Sequence, residues 1–524
     1  MGDLFDGYVR HEFYDEMFQP DGLPRAGWEK LTKALERTTI STLRERIKLF
    51  ESGFRERGIT FAFAGQERTF PLDPIPRIIE LTEWEIVSRG VAQRVKALEA
   101  FLLDIYEGDA EVVSDGVVPN RVIRSSTQML RKAWGITPEN GVRIHVAGLD
   151  LIRDESGKFC VLEDNVRTPS GISYVLENRR AMSRVLPELF ASYSILGVSE
   201  YPSKLLTALR AATPNTSSEP NIVLLTPGVY NSAYFEHSFL ARQMGVHLVE
   251  GRDLVCRDNF VYMKTTYGEV KVDVIYRRVD DDFLDQVQFR PDSMLGVPGL
   301  LNAARSGRVT IANAVGNGVA DDKLTYCYVP DLIKYYLGEE AILPNIDTYR
   351  LWEPEHLSHV LSRLDEMVIK PVDESGGKGV VLGPKAGKSE LDELRVKIAQ
   401  NPRSFVAQRL VHFSAAPTAT DAGIEPRHVD LRPFAINEGN GVYVCPGGLT
   451  RVALPKGSMI VNSSQGGGSK DTWVIERGIL AGSLGKKYQI DRVQEPSEID
   501  GADLRGRRSE SEVSRWSVDQ QQQQ

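Results

Sequence analysis

The sequence predicts an α+β protein of several domains, and three stretches carry that expectation. Glu83–Tyr106 sets apolar residues at helical spacing without a proline. Asn221–Thr226 (NIVLLT), a helical run over Ser232–Met244 and Gly245–Glu250 (GVHLVE) read as strand, helix, strand with short connections, the mark of a βαβ unit. From Glu353 the pattern is helix, strand (Met367–Pro371), glycine loop, strand, helix (Ser389–Ala399) and strand (Ser404–Val411), then long strands around Val429–Asn437 and Val442–Leu454.

Taken in chain order, residues 1–135 read as a mostly helical N-terminal region. A second unit, 136–213, opens with Val142–Ile152 and Phe159–Glu163 around Asp154-Glu155-Ser156-Gly157, a turn signal that makes the two runs a hairpin. Helices are expected at Asn178–Leu196 and Pro202–Ala212. The polar stretch Pro214–Pro220 is the best internal boundary. A third unit, 221–345, holds the βαβ pattern, strands at Val272–Arg277 and Val309–Ile311, and a helix from about Asp322 to Leu337. A fourth, 346–490, holds the glycine loop. The tail 491–524 is polar, ends in glutamines Gln520–Gln524, and is expected to be disordered.

Composition narrows the function. The 524 residues are 41% hydrophobic and 26% charged, an ordinary globular mix with material for more than one core. Lys+Arg 63 against Asp+Glu 72 leaves −9, which argues against a general nucleic-acid binder. No apolar run is long enough to span a membrane, and the acidic N-terminus lacks the apolar core of a secretory signal. The four cysteines are dispersed, with no CxxC pair, and the histidines show no HxxxH or HExxH spacing. A cytoplasmic protein with reduced thiols follows, in which any metal is a hard ion on oxygen ligands.

Four constellations could carry chemistry. Val368-Ile369-Lys370-Pro371 precedes Glu374-Ser375-Gly376-Gly377-Lys378-Gly379: glycines let backbone N–H groups approach phosphate oxygens and a lysine adds a point charge, although a plain hairpin needs glycines too. Leu162-Glu163-Asp164-Asn165 puts Glu163 and Asn165 on one strand face. A four-residue turn pairs Arg153 with Lys158 and Asp150 with Val161, which sets Asp150 on that face one diagonal step away. Two carboxylates and an amide oxygen suit Mg²⁺; a solvated hairpin face is the plainer alternative. Asp321-Asp322-Lys323 reads as a helix N-terminus. Phe405–Val411, interrupted by Gln408 and Arg409, is either a core strand or one that offers its backbone to an adenine edge.

Together, strand-Lys-Pro, glycine loop, adenine-hinge strand and a D…ExN set resemble the ATP-grasp superfamily. Glu163 and Asn165 precede Lys370, the reverse of the usual order, and this resembles the circularly permuted ATP-grasp proteins, whose best-known relatives are glutathionylspermidine synthases. The phrases LLTPGVYNSAYFEHSFLARQMGV, VIYRRVDDDFLD, NAVGNGVADDK, VDLRPFAIN and NSSQGGGSKDTWV are similar to the bacterial uncharacterised branch of that group, over roughly Val142 to Ile475.

The resemblance implies that 136–213 and 346–490 are the two parts of the ATP-grasp unit and 221–345 a pre-ATP-grasp α/β domain, with Pro227–Glu236 near the substrate. It implies Asp150, Glu163 and Asn165 on Mg²⁺ (or Mn²⁺), and Lys323 and Lys370 on ATP phosphates. Gly376, Gly377, Lys378 and Gly379 would close over those phosphates, and Gln408, Arg409 and Leu410 would line the adenine site. Many relatives carry an arginine two residues before the magnesium aspartate, where it stabilises an acyl phosphate. Here that position is Gly148, and Arg167, Arg432 and Arg451 are candidate replacements. The implied activity is ATP-dependent ligation of a carboxylate, on a small molecule or peptide, to an amine co-substrate. A nucleotide-binding scaffold or sensor without ligase activity and an ATP-grasp phosphotransferase are the alternatives.

Overall fold

A computed structural model describes residues 3–6, 8–9, 13–63, 66–214, 219–373, 379–455, 461 and 467–476. Gly376, Gly377, Lys378 and the expected disordered tail lie outside the described residues.

The central element is a nine-stranded sheet. Its strands run, in spatial order, Val442–Val444, Phe434–Asn437, Val146–Arg153, Gly423–Arg432, Leu449–Val452, Gly468–Ile475 and Leu72–Glu80; Phe159–Asn165 pairs with Val146–Arg153, and Ala415–Thr420 with Gly423–Arg432. Val146–Arg153 and Gly468–Ile475 are buried along their whole length. The N-terminal region, expected to be mostly helical, contributes an end strand to this ladder: Leu72–Glu80 runs parallel to Gly468–Ile475. Pro74 and Pro76 hide it from pattern reading, and an end strand is where missing N–H donors are tolerated. Helix Leu81–Tyr106 follows at once and buries Trp84, Val87, Val91, Val95, Leu98 and Leu102 along one face at helical spacing.

The hairpin forms, in a different register from the expected one. Arg153 pairs with Phe159 and Leu151 with Val161; a bulge at Leu162 then brings Asp150 directly opposite Glu163, and Gly148 opposite Asn165. The extra residue re-aims the end of the strand, as bulges beside functional sites do. The shared face survives, and Asp150 and Glu163 become direct neighbours across it.

The βαβ region is a four-stranded parallel sheet in the order Thr310–Ala312, Val274–Arg277, Ile222–Leu225, His247–Val249. A three-stranded meander, Leu254–Arg257, Phe260–Thr265 and Gly268–Val272, was not legible in the pattern. The glycine-loop region forms a separate antiparallel sheet, ordered Thr348–Arg350, Phe405–Arg409, Met367–Pro371, Val381–Leu382. It has its own core of Leu351, Val360, Ile369, Leu394, Ile398 and Ala407, partly supplied by helix Lys388–Gln400. The long strands expected near 429–454 are broken at Pro433, which has no N–H to donate, and at Pro446-Gly447-Gly448.

Candidate functional site

Three pieces of backbone meet around Glu163. The hairpin strand carries Glu163 and Asn165, helix Lys323–Leu337 brings Lys323 at its first residue, and the antiparallel sheet brings Lys370 near the end of strand Met367–Pro371. Glu163, Asn165, Arg167, Asp321, Lys323 and Asp373 line one small, open pocket.

The local sequence explains why Lys323 stands there. Asp322 caps its helix, accepting from the Leu324 N–H at 2.8 Å, so the plain capping reading is correct as far as it goes. The same carboxylate also accepts from Ser126 Oγ at 2.6 Å and from Arg403 at 3.0 Å, which ties the helix start to the chain just before strand Phe405–Arg409. Asp321 accepts from the Val166 N–H at 2.6 Å and from Arg167 Nε at 2.8 Å, locking the exit of the hairpin. Burial pushes the Asp321 carboxyl up to about 6 against the pull of Arg167. Asn313 binds both ends of this junction: its Oδ1 accepts from the His145 and Val146 N–H groups, each at 2.8 Å, and its amide donates to the carbonyls of Val146, Val166 and Arg167. The asparagines and aspartates of NAVGNGVADDK thus hold Lys323 against the hairpin. Apart from Asp321 and Asp322, this scaffold of Ser126, Asn313 and Arg403 was missed, because these roles depend on contacts from distant parts of the chain.

The electrostatics suit an anionic ligand. Lys323 Nζ lies 3.4 Å from Glu163 Oε1. Burial pulls the Lys370 ammonium down to about 8; Glu163 opposes that and Lys323 adds to it. Two lysines that repel each other, with one nearby carboxylate to offset them, favour a polyanion that would hold both charged. Gly379, the one described glycine of the loop, has φ +66°, and a Cβ there would stand 2.9 Å from the Pro371 ring, so glycine is required on both counts.

The metal-ligand candidates divide. Among the described residues no group of three or more His, Cys, Asp or Glu side chains is placed to hold a metal. Glu163 borders the pocket, and the buried Asn165 amide nitrogen has no hydrogen-bond partner there; an amide turned over would present its oxygen instead. One carboxylate, one amide oxygen and ligand phosphates are a donor set that fits Mg²⁺. Asp150 is different. Arg432 donates to both its oxygens, Nε to Oδ1 at 2.5 Å and a terminal nitrogen to Oδ2 at 2.8 Å, and Arg451 donates to Oδ2 at 2.8 Å. Burial alone would raise the Asp150 carboxyl, but Arg432 and Arg451 outweigh it and hold the group well below the usual carboxylate range.

The remaining candidates are placed as follows. Arg451 is further fastened by Asp430, opposite it in the ladder. Arg167 donates to Asp321 and to Gln128 Oε1 at 3.2 Å. Gln408 is buried in mid-sheet and donates to Thr348 Oγ1 at 2.8 Å, while Arg409 is exposed and Leu410 lies past the strand's last pair. In the Pro227–Glu236 region, Glu236 is fully buried and accepts from the Gly171 and Ser173 N–H groups, and from Arg278 at 3.3 Å.

Strands of two sheets and a capped helix thus bring Lys323, Lys370 and the Glu163 carboxylate together. Residues 76–453 match the family described as circularly permuted ATP-grasp type 2, and the chain belongs to that family. It is 56% identical over 476 residues to an uncharacterised protein of Mycobacterium tuberculosis, covering 90% of this chain and 86% of that one. It is 50% identical over 473 residues to an uncharacterised protein of Synechocystis, covering 90% and 98%. A Frankia casuarinae protein with the provisional name glutamate–cysteine ligase 2-2 is 46% identical over 468 residues, 88% of this chain but only 54% of its own length. Among solved structures, a glutathione synthetase-like effector from Globodera pallida superposes with a TM-score of 0.55 at 10% identity, over 84% of this chain and 99% of that one, a likeness of fold. The fold is therefore α+β and circularly permuted ATP-grasp, and the family supports an ATP-dependent ligase at the level of broad class. Among the described residues no helix is long and apolar enough to cross a membrane.

Proposed function

We propose that this chain is an ATP-dependent carboxylate–amine ligase that forms an amide or peptide-like bond through an acyl phosphate. The observation that supports it best is the meeting of Lys323 and Glu163 at one pocket, with Lys370 from a third element close enough to feel the charge of both. In this reading the two lysines hold the β- and γ-phosphates of ATP, and Leu410, with Gln408 and Arg409 before it, borders the adenine. Glu163 and Asn165 hold Mg²⁺ (or Mn²⁺), which when bound would neutralise charge on the phosphate oxygens. The substrate carboxylate oxygen attacks the γ-phosphorus and ADP leaves. The amine then attacks the acyl carbon, inorganic phosphate leaves, and the amine gives up a proton. Catalysis comes from positioning and charge neutralisation. Gly376 to Gly379 would close over the phosphates and keep water from the acyl phosphate.

The substrates are a small molecule or peptide with a carboxylate and a separate amine. The Frankia relative's provisional name points to amino-acid ligation, but it belongs to a protein nearly twice the length of the match, so it supports the bond type more than the substrate. A cytoplasmic site of action suits ATP supply and the four free cysteines. The test is nucleotide turnover: ADP and phosphate released one-for-one with a condensed product support a ligase, ATP bound without turnover a scaffold, and a phosphorylated acceptor a phosphotransferase.

A further inference from the structure

Asp150 sits where its family resemblance predicts a metal ligand, yet its surroundings are those of an arginine holder. The register through Leu151–Leu431 and Gly148–Phe434 sets Arg432 directly across the ladder from Asp150. The guanidinium grips the carboxylate through two hydrogen bonds, a fork geometry that fixes both direction and distance. Arg451 takes a further position on the same carboxylate and is itself gripped by Asp430. One buried and one part-buried cation thus balance two buried anions. A divalent cation at Asp150 could reach only the remaining lone pair of Oδ1 and would stand beside two guanidinium charges.

Gly148 lies beside the Arg432 stem. A Cβ built at Gly148 would lie 3.0 Å from Pro169 Cβ, 3.3 Å from Arg432 Cδ and 3.5 Å from its Cγ. The glycine therefore keeps this point of the strand clear of both the Pro169 ring and the Arg432 stem. Of the two arginines on Asp150, Arg432 is the more open, with 15% of its side chain exposed against 7% for Arg451. Arg432 also donates to the Ser170 carbonyl at 3.2 Å, while Arg278 donates to Ser170 Oγ at 2.6 Å, so the fork sits where the parallel sheet meets the large one.

We propose that Asp150 is a positioning residue that holds Arg432 beside Gly148 and ligates no metal, the metal being carried by Glu163 and Asn165, and that Arg432 is the arginine that contacts the substrate carboxylate. This rests on the ligase reading, and the test separates the two. Manganese bound with AMP-PNP is titrated by electron paramagnetic resonance for wild type, Asp150→Asn, Glu163→Gln and Arg432→Lys, and the melt of each free protein is recorded. Asp150→Asn and Arg432→Lys should keep the manganese affinity within threefold of wild type, while Glu163→Gln weakens it at least tenfold. Free Asp150→Asn should melt several degrees lower, because two guanidinium groups, one buried and one part-buried, lose their shared anion; if it does not fold at all, Arg432→Lys carries the comparison. Arg432→Lys should lower ADP release at least a hundredfold with nucleotide still bound. Manganese affinity lost in Asp150→Asn as in Glu163→Gln, an unchanged or raised melt of Asp150→Asn, or wild-type turnover in Arg432→Lys would each overturn the proposal and leave the ligase reading standing. Wild-type protein that binds no AMP-PNP would overturn both.

Discussion

Replacing Glu163 by glutamine separates chemistry from folding at this site. The change keeps the shape and removes one charge. In the free protein Glu163 has Lys323 at 3.4 Å, with the two side chains 23% and 15% exposed, so the loss is that of a half-open ion pair, under about 1 kcal/mol. A reading from the hairpin alone expects repulsion between Asp150 and Glu163, and so a variant as stable as wild type or slightly more. Arg432 and Arg451 remove that repulsion by neutralising Asp150, and the balance shifts to a slight loss. Turnover responds on another scale. A carboxylate that would hold a divalent cation at the phosphates would contribute about 3–4 kcal/mol to the barrier, or two to three orders of magnitude in rate. A thermal melt and an ADP-release assay on the one variant measure both. A variant that melts within about 2 °C of wild type and turns over ATP within threefold of it would refute the metal assignment, and with it the claim that this pocket is where phosphoryl transfer occurs.

Four other outcomes are expected. Lys370→Ala should abolish nucleotide binding in equilibrium dialysis with a nearly unchanged melt, since the ammonium is held at a cost in the free protein. Asp164→Asn should act oppositely: Asp164 is buried and accepts from Arg94 at 2.6 and 2.8 Å, so denaturant unfolding should show a loss of about 3–5 kcal/mol, which makes it unsuitable as a silent control for Glu163. Chelation by EDTA should stop turnover, with Mg²⁺ or Mn²⁺ restoring it and Zn²⁺ failing to do so. Acid should unfold the protein partly through Glu16: burial would raise its carboxyl, but Arg153 and Arg77 lower it from 4.5 to about 2. Its stabilisation is full above about pH 4.5 and is lost as pH falls towards 2, so Glu16→Gln should cost about 3 kcal/mol at pH 7 and much less at pH 2.5 in denaturant melts.

Local chemistry was legible in the sequence; long-range pairing was not. The strand-Lys-Pro ending at Lys370, the helix from Lys323 and the shared face of Asp150 and Glu163 follow from spacing within short windows. The bulge at Leu162 does not, because no periodicity marks one extra residue in a strand. The arginines on Asp150 come from positions 432 and 451, brought there by sheet pairing across most of the chain. Asn313 and Arg403 escaped for the same reason: an asparagine in a glycine-rich loop looks like turn chemistry until the backbone groups it binds are known. Leu72–Glu80 escaped because its prolines argue against a strand and its partner strand lies near residue 470.

The ligase claim is tested most directly by following carbon and phosphorus together. The protein is incubated with Mg-ATP and a pool of cell metabolites, and mass spectrometry searches for a species equal to two precursors less one water, while ADP and inorganic phosphate are measured in the same sample. The account predicts such a product in step with ADP and phosphate, and its loss with Glu163→Gln. ATP consumed with the phosphate retained on an acceptor, or ATP bound with no consumption across the pool, would contradict it.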